Sequence, residues 1–177
     1  KKLVEVWDGK NLIKDNVIFL KQKTKEVINQ NSEELKKIKK DLLDTYQSTP
    51  CAGVAANQIG YDKRVFIGLK KDDESDDKNN IPIGNPNAEN YEFYINPQID
   101  HYSKKSIQEG EEGCLSIPEI RLVAERFDQI KVRYFNANGK KIKKPLSGFL
   151  SRLFQHELDH LDGKLMLENN LIKQVYQ

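Results

Sequence analysis

Two histidines and a glutamate near the end of the sequence have the types and spacing of a metal site. The segment reads His156-Glu157-Leu158-Asp159-His160. In a helix, residues four apart lie on the same face, so both imidazoles can reach one metal ion with Glu157 beside it. Catalytic sites of this kind usually have three protein ligands and leave the fourth position to water or substrate. The chain must therefore supply a third ligand.

The search for the third ligand is short, because the chain has three histidines and two cysteines. His101 lies in a polar run and is predicted to be a solvated surface residue. Cys114 is the better candidate, since it follows a glycine and precedes apolar residues. A free cysteine standing alone is more often a small buried apolar residue. A Cys-His-His set, however, leaves one tetrahedral position open, which is the arrangement of a hydrolase.

Three segments together are similar to the signature motifs of the peptide deformylases. They are residues 53–58 (Gly-Val-Ala-Ala-Asn-Gln), residues 112–116 (Glu-Gly-Cys-Leu-Ser) and residues 155–163 (Gln-His-Glu-Leu-Asp-His-Leu-Asp-Gly). The motifs occur in the family's order, and the resemblance runs from about residue 41 to residue 166. A single short match would be weak, whereas three ordered matches are strong.

The resemblance implies hydrolysis of the N-terminal formyl group of a formylmethionyl polypeptide, with release of formate. A bound metal lowers the pKa of water to roughly 7, and Glu157 would accept the proton and pass it to the leaving nitrogen. Negative charge develops on the formyl oxygen. The resemblance assigns its stabilisation to the side-chain amide of Gln58 and the backbone N–H of Leu115, each such donor being worth about 3 kcal/mol.

The resemblance also implies substrate-binding residues. Gly53 would let the backbone approach the peptide, and Leu153 would form a wall of the methionine pocket. Glu112 and Arg121 match family positions and would either line the pocket or pair with each other, and a surface ion pair worth under about 1 kcal/mol is a comparable alternative. Arg152 is unexpected for such a pocket and is predicted at its rim or in solvent.

Two positions depart from the family pattern. Cys51 stands where the first motif usually begins with glycine. A cysteine fits there only if the backbone avoids a positive φ or tolerates its cost. Asn57 stands where proline is common, at a position that varies, and is expected to carry no chemistry. The sequence before residue 41 matches the family poorly and supports no assignment.

The ligands and the resemblance lead to expectations about cofactor and partners. Mixed sulfur and nitrogen ligation suits several divalent metals. The resemblance favours Fe²⁺ as the native ion, with Zn²⁺, Ni²⁺ or Co²⁺ able to substitute, and a thiolate ligand makes such a site sensitive to oxidation. Formyl-Met nascent peptides at the ribosome are the expected partners. The sequence does not indicate an oligomeric state.

Composition and charge narrow the class of protein. A chain of 177 residues fits one catalytic domain spanning residues 1–177, with a polar loop insertion at about residues 70–90. A net charge of +2 with mixed signs is not typical of a dedicated nucleic-acid binder. No apolar run is long enough for a membrane span. Two separated cysteines favour a reducing compartment, the cytoplasm, or an organellar matrix if a transit segment was removed.

Hydrophobic periodicity predicts an α+β fold. Residues 32 to about 46 read as an amphipathic helix beginning near Asn31, and residues 64–69 read as a strand. Residues 130–134 alternate as a strand and return through a hairpin at Asn138-Gly139. A helix from about residue 147 to residue 160 would carry both histidines. We expect antiparallel sheets packed around this helix, in agreement with the family.

Two rival functions are open at this point. In one class of zinc peptidase, a third histidine follows the second by six residues, but Met166 occupies that place here. The other class of zinc peptidase commonly takes a distant glutamate as its third ligand. Glu168 is the only carboxylate after Asp162, and it is too close in sequence to fold back readily. The other rival is a repurposed or non-catalytic relative that acts by binding a partner, which is favoured only by Cys51 and the divergent N-terminal sequence.

Overall fold

Two antiparallel sheets form the framework of residues 1–72, 84–168 and 172–176, the part of the chain that the computed structural model describes. The larger sheet contains, in spatial order, β1 (Gly53–Ala55), β2 (Val65–Gly68), β3 (Glu92–Tyr102), β6 (Ile130–Phe135) and β7 (Lys141–Leu146). The smaller sheet contains β4 (Ile107–Cys114), β5 (Ile117–Phe127) and β8 (Ile172–Tyr176). The predicted α+β class is confirmed.

Period-two alternation produces the strands near the end of the larger sheet. Ile130, Val132 and Tyr134 are buried on β6, while the residues between them are more exposed. The chain then reverses at Gly139, whose φ is 76°, and β7 pairs with β6 in antiparallel register. The predicted hairpin at Asn138-Gly139 is therefore present.

Helix α3 (Gly148–Leu161) contacts both sheets and carries the histidine motif. Phe154, Leu158 and Leu161 pack into an apolar cluster with Phe66 and Tyr94 of the larger sheet. The helix is buried on most of its surface, which is unusual for a segment containing so many polar residues. Those polar residues must find partners inside the protein, because a buried polar group without a hydrogen bond is costly.

The C-terminal end of α3 is held by residues distant in sequence. The carbonyl of Leu161 accepts hydrogen bonds from the backbone N–H and hydroxyl of Thr24 and from Nη1 of Arg64. Gly163 follows with φ 75°, and a Cβ at this position would lie 2.4 Å from the carbonyl oxygen of Lys21. Glycine is thus required where the chain leaves the helix.

Helix α2 (Glu33–Ser48) covers the other side of the larger sheet's first strands. Leu35, Ile38 and Leu42 form its buried face, as its periodicity predicts. The capping residue is Ser32, whose hydroxyl accepts from Leu35 N–H; the predicted start at Asn31 is one residue early. A shorter helix, α1 (Lys14–Leu20), precedes it.

The N-terminal segment links two of the sequence motifs. Val4 N–H donates to the carbonyl of Gln58, in the first motif, and Val6 N–H donates to the carbonyl of Ser116, in the second. This contact was not predicted, because the segment has no recognisable pattern of its own. Within the described residues, the structure contains no helix with the length and apolarity that crossing a membrane requires.

Most of the predicted polar insertion at residues 70–90 lies outside the described residues, which omit 73–83. Its end is described. Asn85 is buried and donates from Nδ2 to the carbonyls of Tyr46 and Cys51. The return of the insertion therefore supports the backbone just before the first motif.

Candidate active site

Cys114, His156 and His160 converge at one point between α3 and the smaller sheet. One ligand atom from each residue lies within 4.8 Å of the other two. The Cys114 sulfur is 3.3 Å from Nε2 of His160. Helical geometry places both histidines on one face, and β4 brings the cysteine to them from the opposite side. His101, by contrast, is exposed, as predicted.

The ring of His156 is oriented by Glu112. Nδ1 of His156 lies 2.8 Å from Oε1 of Glu112. A carboxylate only accepts hydrogen bonds, so Nδ1 is the donor and the lone pair of the neutral ring is on Nε2. This is the tautomer in which a histidine ligand is usually held by a neighbouring carboxylate.

The Glu112 carboxylate lies in a buried charged cluster, defined here as Glu112, Arg126, Arg152, His156 and Asp159. Arg126 donates to both Glu112 oxygens, at 2.9 and 2.8 Å, and its Nη1 lies 2.6 Å from Asp159. Burial alone would raise the pKa of the Glu112 carboxyl, but the hydrogen bonds from Arg126 and His156 hold that pKa well below its ordinary value. Glu112 is therefore an anion in the folded protein.

The three converging residues fit a divalent metal. Burial opposes ionisation of the Cys114 thiol, yet the neighbouring His160 and His156 lower its pKa well below the ordinary value. A thiolate and two imidazoles are donors that suit zinc, iron, cobalt or nickel. The described ligand set has three members, so a tetrahedral ion held there would keep one position for water or substrate.

Glu157 lies next to this group with a free oxygen. Its side chain is buried, and Oε2 has no hydrogen-bond partner among the described residues. Burial raises the pKa of the Glu157 carboxyl above its ordinary value. A buried carboxylate oxygen without a hydrogen bond, beside a cleft, is expensive for stability and is typical of a proton-transfer group.

A cleft of about 840 Å³ opens above these residues. Its lining includes nine of the ten site residues that the sequence predicts, and the tenth, His160, lies deeper and contacts Cys114. The nine are Gly53, Gln58, Glu112, Cys114, Leu115, Arg121, Leu153, His156 and Glu157. Side chains from the three sequence motifs thus meet in one cavity.

Comparisons with known proteins agree on one family. The model of the polypeptide deformylases matches residues 10–174. The peptide deformylase of Rickettsia typhi is 34% identical over 149 residues, covering 84% of this chain and 80% of that protein. The peptide deformylase structure from Thermotoga maritima is similar with a TM-score of 0.70 and 33% identity, covering 89% of this chain and 92% of that one. The chain belongs to the polypeptide deformylase family.

A further solved relative is the class I type b peptide deformylase from Acinetobacter baumannii with Met-Ala-Ser bound. It is 32% identical, with a TM-score of 0.71, and the similarity covers 86% of this chain and 93% of that one. These relatives are enzymes, so the predicted enzyme class, peptide deformylase, is confirmed along with the family. The roles of individual residues stay predictions that geometry can support.

The deformylase motif residue Gln58 has a fixed amide. Its Oε1 accepts from Ala55 N–H at 3.0 Å, and its Nε2 lies 3.2 Å from Ser116 Oγ and 3.5 Å from Cys114 Sγ. Because Oε1 accepts from a backbone N–H, the NH₂ group is the part of the amide that points towards Ser116 and the Cys114 sulfur. Leu115 follows Cys114 in the turn between β4 and β5, which places its backbone at the same end of the cavity.

Gly53 is required for packing as well as for access. A Cβ at this position would lie 2.8 Å from Cδ1 of Leu153 and 2.9 Å from Oε1 of Glu157. Real Cβ atoms do not approach so closely, so the side chains on α3 would have to move. Glycine at position 53 therefore leaves the space that the ends of the Leu153 and Glu157 side chains occupy.

The pairing considered for Glu112 and Arg121 is wrong. Glu112 binds Arg126, Arg152 and His156, while Arg121 is exposed and lines the cleft. The sequence prediction for Arg152, at the rim of the pocket or in solvent, is also wrong. Arg152 is buried and lines the cleft.

Position 51 has a backbone that cysteine can adopt. Among the described non-glycine residues, only Asn96 and Glu119 have a positive φ, and Cys51 does not. Both cysteines are free. The departure from glycine therefore costs no backbone strain, and the Cys51 side chain becomes part of the cleft lining.

Among the described residues, neither candidate for the third ligand of a peptidase reaches the two histidines. Met166, at the position where a histidine would be needed, is buried in an apolar cluster with Val6 and Leu20. Glu168 binds Lys21 and the N–H of Leu165. Neither residue belongs to the converging group of Cys114, His156 and His160.

Sequence reasoning missed several supporting residues, namely Asn57, Ser116, Arg126, Arg152 and Asp159. Asn57, Ser116 and Asp159 lie inside the quoted motifs. For Arg152, the signal was an arginine four residues before a histidine ligand on a buried helix face. Arg126 gave no signal, because its partner Glu112 is not its neighbour in strand register, where Glu112 pairs with Leu122.

Proposed function

We propose that this protein removes the formyl group from the N-terminal formylmethionine of nascent polypeptides by metal-dependent hydrolysis. The observation that carries the proposal is the convergence of Cys114, His156 and His160 within 4.8 Å beside Glu157, whose Oε2 has no hydrogen-bond partner among the described residues. Family membership supports deformylation. The site supplies the groups that amide hydrolysis requires, which are metal ligands, a proton acceptor and hydrogen-bond donors.

Cys114, His156 and His160 would hold the metal. When bound there, the ion would lower the pKa of water and polarise the formyl oxygen. The chain's own contribution is to keep the sulfur ionised and the His156 ring in one tautomer through Glu112. Iron in the ferrous state is our proposal for the native ion, on the family resemblance and the thiolate ligand. Anaerobic purification with metal analysis tests this point.

Glu157 would act as the proton carrier. Water adds to the formyl carbon, the carbon–nitrogen bond breaks, and the products are formate and the free amine. Glu157 takes one proton from the water and delivers it to the leaving nitrogen. A raised pKa suits this exchange, because a carboxyl group whose pKa lies nearer the working pH can both accept and return a proton.

Gln58 and Leu115 would bind the formyl oxygen as it gains negative charge. The Gln58 amide is held by Ala55 and Ser116, so its N–H groups need little reorganisation during the reaction. The backbone N–H of Leu115 provides a second donor at the same end of the cleft. A neutral amide is suitable here because it stabilises the anion without adding a charge that would disturb the Cys114 thiolate.

The peptide would lie along the cleft with its methionine side chain against Leu153. The proposal for a methionine substrate is supported by the Acinetobacter baumannii relative, whose structure has Met-Ala-Ser bound. Gly53 and Arg121 line the same cleft and would contact the peptide beyond the methionine. A single catalytic domain, a cytoplasmic or organellar setting and action on chains leaving the ribosome complete the proposal.

The Glu157→Gln variant tests the mechanism. Glutamine keeps the shape but cannot carry the proton, so the variant should retain its metal and lose formate release from formyl-Met-Ala-Ser by about 100-fold or more. Metal content is measured by elemental analysis and formate by a coupled assay. Glu26→Gln, an exposed carboxylate outside the cleft lining, is the matched control and should be as active as the parent. Unchanged turnover in Glu157→Gln would refute the proton-carrier role.

A further inference from the structure

Asn57 is fully buried against the helix that carries the histidines. Its side chain is 1% exposed, and Nδ2 lies 2.6 Å from the backbone carbonyl oxygen of His160. A carbonyl cannot donate a hydrogen bond, so the nitrogen of the Asn57 amide must be the atom on that side. The orientation of the amide is therefore determined, and Oδ1 is left as a free acceptor.

Two buried atoms in this contact lack partners, and they are complementary. Asn57 Oδ1, an acceptor, and His160 Nδ1 have no hydrogen-bond partner among the described residues. Nε2 of His160 faces the Cys114 sulfur, so a neutral ring that offers Nε2 to a metal carries its proton on Nδ1. The Nδ1–H of His160 thus lacks an acceptor, and Oδ1 of Asn57 lacks a donor, among the described residues.

We propose that Asn57 is a positioning residue for His160. Its Oδ1 accepts the Nδ1–H of the imidazole through one buried water, and so holds the tautomer whose Nε2 faces Cys114. The inference rests on the metal site of the proposed function. Leaving both buried atoms unsatisfied would cost about 1–3 kcal/mol for each, which gives the pairing a clear energetic reason.

The arrangement parallels that of His156 with a different partner. A charged carboxylate, Glu112, orients His156, whereas a neutral amide would orient His160. Ligating histidines usually donate their second ring N–H to such an acceptor. A neutral acceptor next to His160 adds no second anion close to the Cys114 thiolate.

The competing explanation is that Asn57 only stabilises the end of α3. Thr24 provides the matched control, because its hydroxyl donates to the carbonyl of Leu161, the residue after His160. Loss of the Asn57 amide does not leave the His160 carbonyl unbonded, since Gly163 N–H also donates to it. Asn57→Leu and Thr24→Val therefore each remove one side-chain bond to the helix end and keep the number of heavy atoms and the branching of the side chain.

Nuclear magnetic resonance of the zinc-loaded protein tests the hydrogen bond directly. With ¹⁵N-labelled histidine, the unmodified protein should show two slowly exchanging Nδ1–H signals, from His156 and His160. Asn57→Leu should lose or shift the His160 signal alone. Asn57→Asp, which loses the donor to the His160 carbonyl but keeps an acceptor for Nδ1–H, should retain it. The same His160 shift and exchange rate in Asn57→Leu and the unmodified protein would overturn the proposal.

Metal release gives an independent readout. Zinc transfer from the protein to a chelator should be about 10-fold faster in Asn57→Leu than in Thr24→Val or the unmodified protein. Asn57→Asp should release zinc no faster than the unmodified protein. This second variant tests the proposal even if Asn57→Leu folds poorly. Equal release from the Asn57 and Thr24 variants would make Asn57 a helix-end residue only. If the unmodified protein binds no zinc or iron, the metal site itself is refuted together with this inference.

Discussion

Arg152 and His156 lie one turn apart on α3 and bind opposite oxygens of the same buried carboxylate. Arg152 Nη1 is 2.5 Å from Oε2 of Glu112, and His156 Nδ1 is 2.8 Å from Oε1. Arg152 also donates to the backbone carbonyls of Gly110 and Ala124. A ligand of the proposed metal site is therefore connected through one carboxylate to the strands of the smaller sheet.

Replacing Arg152 with methionine should destabilise the protein. The change removes one of two arginines from a carboxylate that is 4% exposed, and breaking a buried ion pair typically costs about 3 kcal/mol. We expect a loss of this size in the free energy of unfolding, measured in urea. Arg126 still binds Glu112 in the variant, so the fold should survive and zinc should remain bound.

The control for the arginine prediction is Arg133→Met. Arg133 pairs with Asp100 on the surface, where each side chain is 39% exposed. Exposed pairs contribute under about 1 kcal/mol, because water screens the charges. Similar losses in the two variants would mean that the buried cluster does not stabilise the protein more than a surface ion pair does.

The sequence alone predicts those parts of the candidate site that depend mainly on short-range spacing. His156, Glu157 and His160 follow from helical periodicity, and Cys114 follows from the scarcity of other ligands. The hairpin at Gly139 and the buried face of α2 also follow from short-range patterns. Apart from Cys114, each of these features depends on residues within a few positions of one another.

The parts that the sequence did not predict depend on long-range packing. Arg126 reaches Glu112 along a twisted pair of strands, across the register and not within it. Asn57 meets the end of α3 across 103 positions of sequence, and nothing around it resembles a ligand support. Burial overrode the expectation for Arg152, because a charged side chain can be buried when carboxylate and carbonyl acceptors surround it.

Gly53→Ala should impair both stability and catalysis. The added Cβ would contact Leu153 at 2.8 Å and Glu157 at 2.9 Å, so both side chains must shift. Overpacking of this kind costs about 1–3 kcal/mol. We expect that loss in urea unfolding, together with a fall in formate release of about 10-fold or more, because Glu157 would no longer lie in its working position.

Gly113→Ala serves as the stability control for the Gly53 prediction. A Cβ on Gly113 would find its nearest neighbour, the Ile120 carbonyl oxygen, at 3.9 Å, and this glycine is exposed. The free energy of unfolding of Gly113→Ala should differ from that of the unmodified protein by less than about 0.5 kcal/mol. If Gly53→Ala is as stable as Gly113→Ala, the close approach of β1 to α3 does not constrain Glu157.

Chemical labelling should distinguish the two cysteines when the metal is removed. Burial, together with the nearby Glu157 charge, raises the pKa of Cys51 to about 12, so it reacts slowly with iodoacetamide at pH 8. Its rate should rise about 10-fold per pH unit. Cys114 should be protected while metal is bound and react rapidly after chelation, because His160 and His156 lower its pKa despite burial. Mass spectrometry follows the labelling, and Cys51→Ser should keep this rapid phase. Equal labelling of both thiols would contradict the assignment of Cys114 as the ligand, and so would labelling that chelation leaves unchanged.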